Sequence, residues 1–190
     1  MLKIGAVVLA AGQGRRFGGD KLLADLRGKP VVDHVLDAVA AFPFDAVVCV
    51  LRPDTAVTDR LKDRAVSAAV NAHADRGMGT SLAAGIRALP PVAAAFIVLG
   101  DMPAIPADLF GSMLAAMETS GADIVAPVHD GQQGHPVLFA QACFPDLAAL
   151  DGDRGARAVI RSGRYGVVAV ETDHPAVLRD IDVPGDLDGF

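Results

Sequence analysis

Tryptophan is absent from the 190-residue chain, tyrosine occurs once and cysteine occurs twice. Two cysteines without a Cys-x-x-Cys pair argue against a disulfide framework or a cysteine-based zinc site, so we expect Cys49 to be a buried apolar residue and Cys143 a loop thiol. No apolar run approaches the roughly 20 residues of a membrane-spanning helix, and no signal sequence precedes the first apolar segment. We therefore expect a cytoplasmic protein that does not contact a membrane.

An excess of positive charge is also missing. The chain has 17 lysines and arginines against 23 aspartates and glutamates, a formal net charge of -6. This balance argues against a nucleic-acid-binding surface. An acidic protein that binds a polyanion must concentrate its positive charge locally or recruit a metal ion, and Arg15, Arg16 and Lys21 form such a concentration near the N-terminus.

Residues 4–10 form a continuous apolar run that predicts a buried parallel strand. A glycine-rich loop follows, and loops beyond the carboxyl ends of strands bind ligands in open α/β sheets. Glycines such as Gly12 and Gly14 let backbone N–H groups approach a phosphate, and Arg16 and Lys21 offset its charge. The segment predicts a nucleoside triphosphate site; the alternative is a tight strand-to-helix turn with solvated basic residues.

Two common phosphate-binding motifs do not fit this loop. A dinucleotide-binding fingerprint requires Gly-x-Gly-x-x-Gly, whereas the spacing here is Gly12-x-Gly14-x-x-x-Gly18. The second predicted strand also ends in Arg52 rather than in the acidic residue that would bind the ribose. A Walker loop requires Gly-Lys-Ser/Thr, but Gly19 is followed by Asp-Lys-Leu, so the hydroxyl that would bind magnesium is missing.

Strand-like and helix-like segments alternate along the chain, which is typical of a parallel sheet with crossover helices. We predict strands at residues 4–10, 46–51, 66–70, 95–100, 123–126, 136–140, 165–171 and 178–182, with 136–140 the candidate for an antiparallel strand. We predict helices at residues 30–42, 55–64, 106–119 and 154–162, and one capped by Thr80 or Ser81. The expected fold is a doubly wound, mostly parallel α/β sheet in three layers, forming a single domain over residues 1–190.

Asp101 follows the predicted strand 95–100 and lies at the same sheet edge as the glycine-rich loop. A carboxylate at this position is a natural ligand for Mg²⁺, which prefers hard oxygen ligands and keeps waters and substrate phosphates in its shell. The alternative is a cap for the helix predicted to start at Pro106, but Pro103 and Pro106 separate Asp101 from that helix. We therefore expect Asp101 to bind a metal ion.

The glycine-rich loop also carries a longer motif, Leu9-Ala10-Ala11-Gly12-x-Gly14-x-Arg16-Phe17-Gly18 followed by Lys21. This motif resembles the signature of the MobA-like nucleotidyltransferases, the MobA-like NTP transferase family. Three further segments, at residues 77–81, 99–103 and 181–187, resemble the family in chain order, so the resemblance covers nearly the whole chain. It implies a Rossmann-like nucleotidyltransferase fold.

Within the family, the pattern resembles the molybdenum cofactor cytidylyltransferases. The resemblance implies transfer of CMP from CTP to the phosphate of molybdopterin, with release of pyrophosphate and with Mg²⁺ as cofactor. It also implies that Asp182 completes the metal site with Asp101; the alternative for Asp182 is a turn aspartate, and Asp180 and Asp186 are weaker candidates. A molybdoenzyme or its chaperone is a further implied partner.

The family's residue roles are carried over position by position. Arg16, Lys21 and Asp101 are implied to be catalytic, and Arg154 is a candidate for contacting the acceptor's phosphate. His135 is equally well explained as a turn histidine. For Gly77 and Gly79, a simple helix start is the alternative to a contact with the nucleotide and the acceptor. The positions implied to contact the nucleotide or the acceptor are Leu9, Ala10, Ala11, Gly12, Gly14, Lys21, Asn71, Gly77, Gly79, Ser81 and His135.

Ala11 bears on the choice of base. Guanylyl-transferring members resemble Leu-Ala-Gly-Gly at this point of the loop, whereas this chain has alanine at position 11. The extra methyl group narrows the space beside the base, which favours a pyrimidine, so we expect CTP rather than GTP.

Three other functions remain open. One is nucleotidyl transfer with another nucleoside triphosphate, or to a sugar phosphate or polyol phosphate. The second is an NAD(P)H-dependent reductase, against which Arg52 argues because no acidic residue follows the second strand. The third is a non-catalytic protein that delivers the cofactor to an apoenzyme.

Overall fold

The computed structural model of the chain describes residues 2–14 and 16–190. The strands are β1 (Ile4–Ala10), β2 (Asp25–Leu26), β3 (Lys29–Pro30), β4 (Ala46–Leu51), β5 (Ser67–Val70), β6 (Ala94–Leu99), β7 (Ile124–His129), β8 (Gln132–Gln133), β9 (Val137–Ala140) and β10 (Val167–Glu171). The α-helices are α1 (Val31–Ala40), α2 (Met78–Ala88), α3 (Asp108–Ser120), α4 (Phe144–Ala148) and α5 (Arg157–Ile160).

Eight of the strands in the described chain form one sheet in the order β10-β7-β9-β6-β1-β4-β5, with β8 paired to β7. The pairs β1–β4, β1–β6, β4–β5 and β7–β10 are parallel. Strand β9 runs antiparallel to both β6 and β7, as expected for residues 136–140. The predicted mostly parallel sheet is therefore confirmed, and β2 and β3 pair separately as a small antiparallel hairpin.

Helices cover both faces of the sheet. Along β1, Ala6 and Val8 pack in one apolar cluster with side chains of α1 and α3, whereas Val7 packs in a second cluster with side chains of α2, α4 and α5. Buried apolar side chains on alternate positions explain why β1 reads as a continuous apolar run. This arrangement confirms the doubly wound, three-layered fold.

The direction of the crossovers creates a crevice beside β1. The chain passes from β1 to β4 on one side, continues to β5, and returns through α2 to β6 on the other side of β1. In open α/β sheets, ligands bind at this reversal, beyond the carboxyl ends of the strands. The loops after β1 and β6 flank the reversal, so Asp101 and the glycine-rich loop share one edge of the sheet.

Gly100 brings the loop after β6 close to the end of β1. Its N–H donates to the carbonyl oxygen of Leu9 at 2.9 Å, and a Cβ atom at this position would lie 2.9 Å from the same oxygen. A larger residue would therefore push the two strand ends apart. The glycine places the next residue, Asp101, directly beside the start of the glycine-rich loop.

The prediction that residues 178–182 form a strand was wrong. Residues 175–178 form a 3-10 turn, and the chain after it is an irregular extended loop. Backbone groups that a strand would use in a ladder are bonded elsewhere: Ile181 donates its N–H to the carbonyl of Asp101, and Asp182 donates to the carboxylate of Asp186. The segment is held by individual contacts instead of strand pairing.

Helix α2 begins earlier than predicted. Gly77, with a φ of 127°, stands at its N-cap, and Thr80 lies inside the first turn, where its hydroxyl donates to the Gly77 carbonyl at 2.9 Å. Thr80 and Ser81 are therefore not the N-cap. The predicted helices 55–64 and 154–162 are shorter than expected: a 3-10 helix spans Ala56–Leu61, and α5 spans Arg157–Ile160.

None of the helices in the described part of the chain is long and apolar enough to cross a membrane.

Candidate active site

A cleft of about 520 Å³ opens at the carboxyl edge of the sheet, between the glycine-rich loop and the start of α2. It collects residues that are far apart in the sequence, from the loop after β1, the end of β6 and the C-terminal segment. The expected site residues that line it are Leu9, Ala11, Gly12, Gly14, Arg16, Lys21, Gly77, Ser81, Asp101 and Asp182.

Lys21 lies between the two aspartates that were expected to bind metal. It is 9% exposed, and its Nζ lies 2.6 Å from Oδ2 of Asp101 and 3.3 Å from Oδ1 of Asp182. Burial alone would lower the pKa of Lys21, but the attraction and hydrogen bonds of the two carboxylates outweigh it, so its pKa is raised. The ammonium group is therefore charged at neutral pH and neutralises the carboxylates.

Arg16 approaches the same carboxylate from the solvent side. Its guanidinium lies 2.9 Å from Oδ2 of Asp182, and its side chain is 77% exposed. Each oxygen of Asp182 thus faces a different cation. Arg15, expected to add to this positive patch, lies outside the described residues.

Arg52 stands at the end of β4, where a dinucleotide-binding fold would carry an acidic residue. Its guanidinium pairs with Oδ2 of Asp20 at 2.6 Å. The pair ties the glycine-rich loop to the neighbouring strand end just before Lys21. In the sequence, Arg52 argues only against a dinucleotide site; in the structure it lies beside Gly14 and Gly18.

The C-terminal segment is fixed so that Asp182 reaches the cleft. Ile181 is fully buried and donates its N–H to the carbonyl of Asp101 at 3.0 Å. The carboxylate of Asp186 accepts the N–H groups of Asp182 at 2.7 Å and Val183 at 2.8 Å, and these bonds hold the pKa of Asp186 below its usual value. Asp186 lies outside the cleft and orients Asp182.

Asp180 is a third carboxylate near Asp101 and Asp182. It lines the cleft, and its pKa is raised by burial and by the negative charges of those two aspartates. The sequence offered little to select it, because its neighbours become close only after the C-terminal segment has packed against β6.

The acidic residues fit a metal that takes some of its ligands from substrate. Within the described ranges, no group of three or more His, Cys, Asp or Glu side chains is arranged to hold a metal ion. Mg²⁺ commonly binds one or two carboxylates together with waters and substrate phosphates. Asp101 and Asp182 meet this requirement because their oxygens already converge on one positive charge, the ammonium of Lys21.

The start of α2 is packed against the loop at residues 151–154. A Cβ atom on Gly77 would lie 2.4 Å from the carbonyl carbon of Gly152, and one on Gly79 would lie 2.6 Å from the carbonyl oxygen of Arg154. The N–H of Gly79 donates to the Gly152 carbonyl at 2.9 Å. Gly79 thus allows a close contact within the protein, and its N–H group is already used.

Two further expected contacts do not line the cleft. Asn71 is buried; its amide donates to the hydroxyls of Thr80 at 2.9 Å and Ser81 at 3.0 Å, and its carbonyl oxygen accepts the N–H of His73. It therefore ties the end of β5 to α2. Ala10 is buried in the core on the side of α1.

A second cleft of about 460 Å³ adjoins the first, and Leu9, Met78 and Asp180 belong to both. Its walls combine apolar side chains with the polar side chains of Gln132, Gln133, His135, Asp153, Arg157 and Asp180. Met78, at the junction of the clefts, is 50% exposed although it is apolar.

His135 and Arg157 face this second cleft. Burial and the positive charge of Arg157 lower the pKa of His135 to about 4, so the imidazole is neutral at pH 7. Its Nδ1 is buried and makes no hydrogen bond to any described residue.

Arg154, the expected arginine of this segment, is exposed and lines neither cleft. Arg157 is also exposed but lines the second cleft, and it was missed because sequence alone does not say which arginine of residues 152–157 lies beside a cleft.

The family comparison agrees with this geometry. Residues 6–171 match the model of a family described as the MobA-like NTP transferase domain. The purine catabolism protein PucB of Bacillus subtilis (strain 168) is 31% identical over 193 residues, covering 96% of this chain and 93% of PucB. The molybdenum cofactor guanylyltransferase of Shewanella putrefaciens is 34% identical over 141 residues, covering 73% of this chain and 69% of that enzyme.

Solved structures share the fold over the whole chain. Rv0371c from Mycobacterium tuberculosis H37Rv, in complex with manganese, superposes with a TM-score of 0.82 at 25% identity. The match covers 99% of this chain and 97% of Rv0371c.

Proposed function

Because the chain belongs to the family of MobA-like NTP transferases, which are nucleotidyltransferases, we propose that it transfers CMP from CTP to the phosphate of molybdopterin. The observation that carries the proposal is the convergence of Lys21, Asp101 and Asp182 at the mouth of a glycine-lined cleft. This cleft supplies both signs of charge that a metal-bound triphosphate requires.

The triphosphate occupies the first cleft in this proposal. Gly12 and Gly14 line the cleft and let the phosphates approach the backbone, while Arg16 and Lys21 contact the phosphate oxygens. Asp101 and Asp182 hold Mg²⁺ or a similar divalent ion. When bound, that ion neutralises charge on the phosphates and on the departing pyrophosphate.

Molybdopterin occupies the second cleft. The apolar side chains of its walls suit a flat heterocycle, and the side-chain amides of Gln132 and Gln133 can hydrogen-bond the edge of such a ring. Arg157 has no ion-pair partner among the residues of the described chain, so its charge is available to the acceptor's phosphate. Asp180 and Met78 line both clefts, which supports binding of the two substrates side by side.

The chemistry is one in-line displacement. An oxygen of the acceptor's phosphate forms a bond to the α-phosphorus of CTP, and the bond from that phosphorus to the bridging oxygen breaks, so that pyrophosphate leaves. No protein nucleophile is required. Lys21 and Arg16 stabilise the charge that develops on the phosphate oxygens, and the clefts hold the reacting groups in line.

Ala11 supports CTP as the donor. Ala11 lines the first cleft, where glycine would leave more room for a base. GTP is the second candidate donor, because relatives named for the molybdenum cofactor are guanylyltransferases. A purine needs more room than a pyrimidine, so the size of residue 11 and the choice of base are linked.

Pyrophosphate release tests the proposal. Purified protein with Mg²⁺ and molybdopterin is expected to release pyrophosphate from CTP faster than from GTP, and only when the acceptor is present. Asp101→Asn is expected to lower turnover by at least about a hundredfold, because it removes a charged ligand from the metal site. Asp59→Asn, which changes an exposed aspartate that lines neither cleft, is the matched control.

Three results would change the conclusion. Release from no nucleoside triphosphate would refute nucleotidyl transfer by this site. Faster release with GTP would reverse the donor assignment alone. Faster release with a polyol phosphate than with molybdopterin would reverse the acceptor assignment.

A further inference from the structure

The two carboxylates assigned to the metal, Asp101 and Asp182, are both paired with cations of the first cleft. Lys21 pairs with Asp101 and Asp182, and Arg16 pairs with the remaining oxygen of Asp182. At Asp101 and Asp182 a bare metal ion would meet carboxylates whose charge is already offset, and a bare triphosphate would meet Lys21 and Arg16 already paired. A metal–nucleotide complex brings both signs of charge at once.

We propose that Lys21 is a removable counter-ion for the metal-binding carboxylates, so that the metal enters together with the nucleotide and not before it. The inference rests on the proposed function, because it assigns the metal to Asp101 and Asp182. The ammonium of Lys21 leaves the carboxylates when the complex arrives and pairs with a phosphate. Its flexible four-carbon stem permits this shift without movement of the backbone.

Because the ion pairs are buried, moving the Lys21 ammonium from the carboxylates to a phosphate has a large effect on the free energy of metal binding. The side chains of Lys21 and Asp101 are only 11% and 20% exposed, so solvent screens their attraction less than it screens a surface pair. Displacing Lys21 without giving it a new partner leaves a poorly solvated charge, which opposes binding of metal alone. Because the two binding events are thermodynamically linked, the nucleotide raises the protein's affinity for metal, and metal raises its affinity for the nucleotide by the same factor.

Binding of Mn²⁺ alone provides the test, measured by loss of the free-ion electron paramagnetic resonance signal. Lys21→Met removes the counter-ion and keeps most of the side-chain volume. We expect the variant to bind Mn²⁺ alone at least about tenfold more tightly than the wild type, a change of about 1.4 kcal/mol. Adding Asp101→Asn to this variant is expected to abolish the gain, since the gain depends on the freed carboxylate.

Lys29→Met is the matched control. Lys29 pairs with Asp37 outside both clefts, so removing it is expected to leave Mn²⁺ affinity unchanged. Arg16→Gln is a second test variant at an exposed position that tolerates substitution, and it frees one oxygen of Asp182. We expect a smaller gain in the same direction, and this variant decides the question if Lys21→Met does not fold.

The inference is overturned if Lys21→Met, or Arg16→Gln in its place, binds Mn²⁺ no more tightly than the wild type. It is also overturned if the wild type already binds Mn²⁺ alone as tightly as it does with CTP present. These outcomes differ from failure of the proposed function, which would appear as no binding of any nucleotide to the wild type in the presence of Mn²⁺.

Discussion

The backbone N–H of Ile181 donates to the carbonyl oxygen of Asp101 at 3.0 Å, and this bond joins the C-terminal segment to the end of β6. Asp182, one residue further, thereby reaches the cleft across from Asp101. The two carboxylates are 81 positions apart in the chain, and the Asp186 carboxylate holds the second of them by accepting the N–H groups of Asp182 and Val183.

Asp186→Ala tests this support. The substitution removes both acceptor bonds without touching the cleft, so we expect Asp182 to be poorly oriented and the Mg²⁺ concentration for half-maximal turnover to rise about tenfold. Asp186→Asn keeps one acceptor oxygen and is expected to lie between the wild type and the alanine variant. An unchanged magnesium dependence in Asp186→Ala would show that Asp182 does not depend on this contact or does not bind the metal.

A second prediction concerns the close contact between α2 and the loop at residues 151–154. Gly77→Ala adds a methyl group 2.4 Å from the Gly152 carbonyl carbon at a φ of 127°, where side chains are strained. We expect it to lower the free energy of unfolding by at least about 2 kcal/mol, measured by denaturant titration.

Gly111→Ala is the control for that measurement. Gly111 lies within α3, is exposed, and has open space where its Cβ would be. Alanine has the higher helix propensity, so the same change of residue is expected to raise stability by about 0.5–1 kcal/mol. Equal effects of the two substitutions would contradict the packing argument.

The sequence predicted the parts of the site that depend on local pattern. An apolar run followed by glycines indicates a strand end, and Asp101 follows a second such run, so their common edge could be inferred. The family resemblance added Asp182 before the packing of its segment could be known.

The parts that the sequence did not predict depend on long-range contacts. The family resemblance implied that Asn71 lies near the nucleotide; in the structure its amide donates to the hydroxyls of Thr80 and Ser81 in α2. The segment 178–182 has the composition of a strand, yet its N–H groups bond individual oxygens. Arg157 faces the second cleft and Arg154 does not, a difference set by the packing of a single helical turn.

A third prediction concerns acid stability. Since the folded pKa of His135 is lowered to about 4 from the ordinary value of 6.5, the unfolded chain takes up this proton at a higher pH than the native protein. The neutral imidazole of His135 therefore contributes fully to the stability of the fold above about pH 6.5. This contribution, at most about 3 kcal/mol, is lost as the pH falls toward 4.

His135→Gln removes this titration. We expect the free energy of unfolding of the wild type to fall relative to that of the variant as the pH is lowered from 7 to 4. The measurement is urea titration at each pH. A constant difference over that range would mean that the imidazole protonates equally easily in both states.

A fourth prediction tests the second cleft as the acceptor site. Arg157→Gln removes the charge that we propose binds the acceptor's phosphate, so the KM for molybdopterin is expected to rise about tenfold or more while the KM for CTP stays the same. Arg154→Gln, which changes an exposed arginine of the same segment that lines neither cleft, is expected to alter neither constant. An equal rise in both KM values would point to a general structural effect instead.

The last prediction concerns the base. Ala11 is 3% exposed and lines the first cleft. Ala11→Gly creates room for a larger ring, and because one methyl group in a tight pocket discriminates by about tenfold or more, we expect kcat/KM for GTP to rise by about that factor relative to CTP. The measurement is pyrophosphate release with each nucleotide at saturating acceptor.

Ala10→Gly, at a neighbouring buried position that does not line the cleft, is the matched control, because it removes a methyl group without enlarging the site. An identical shift in both variants would assign the effect to loop flexibility, and no shift in either would separate base selection from residue 11.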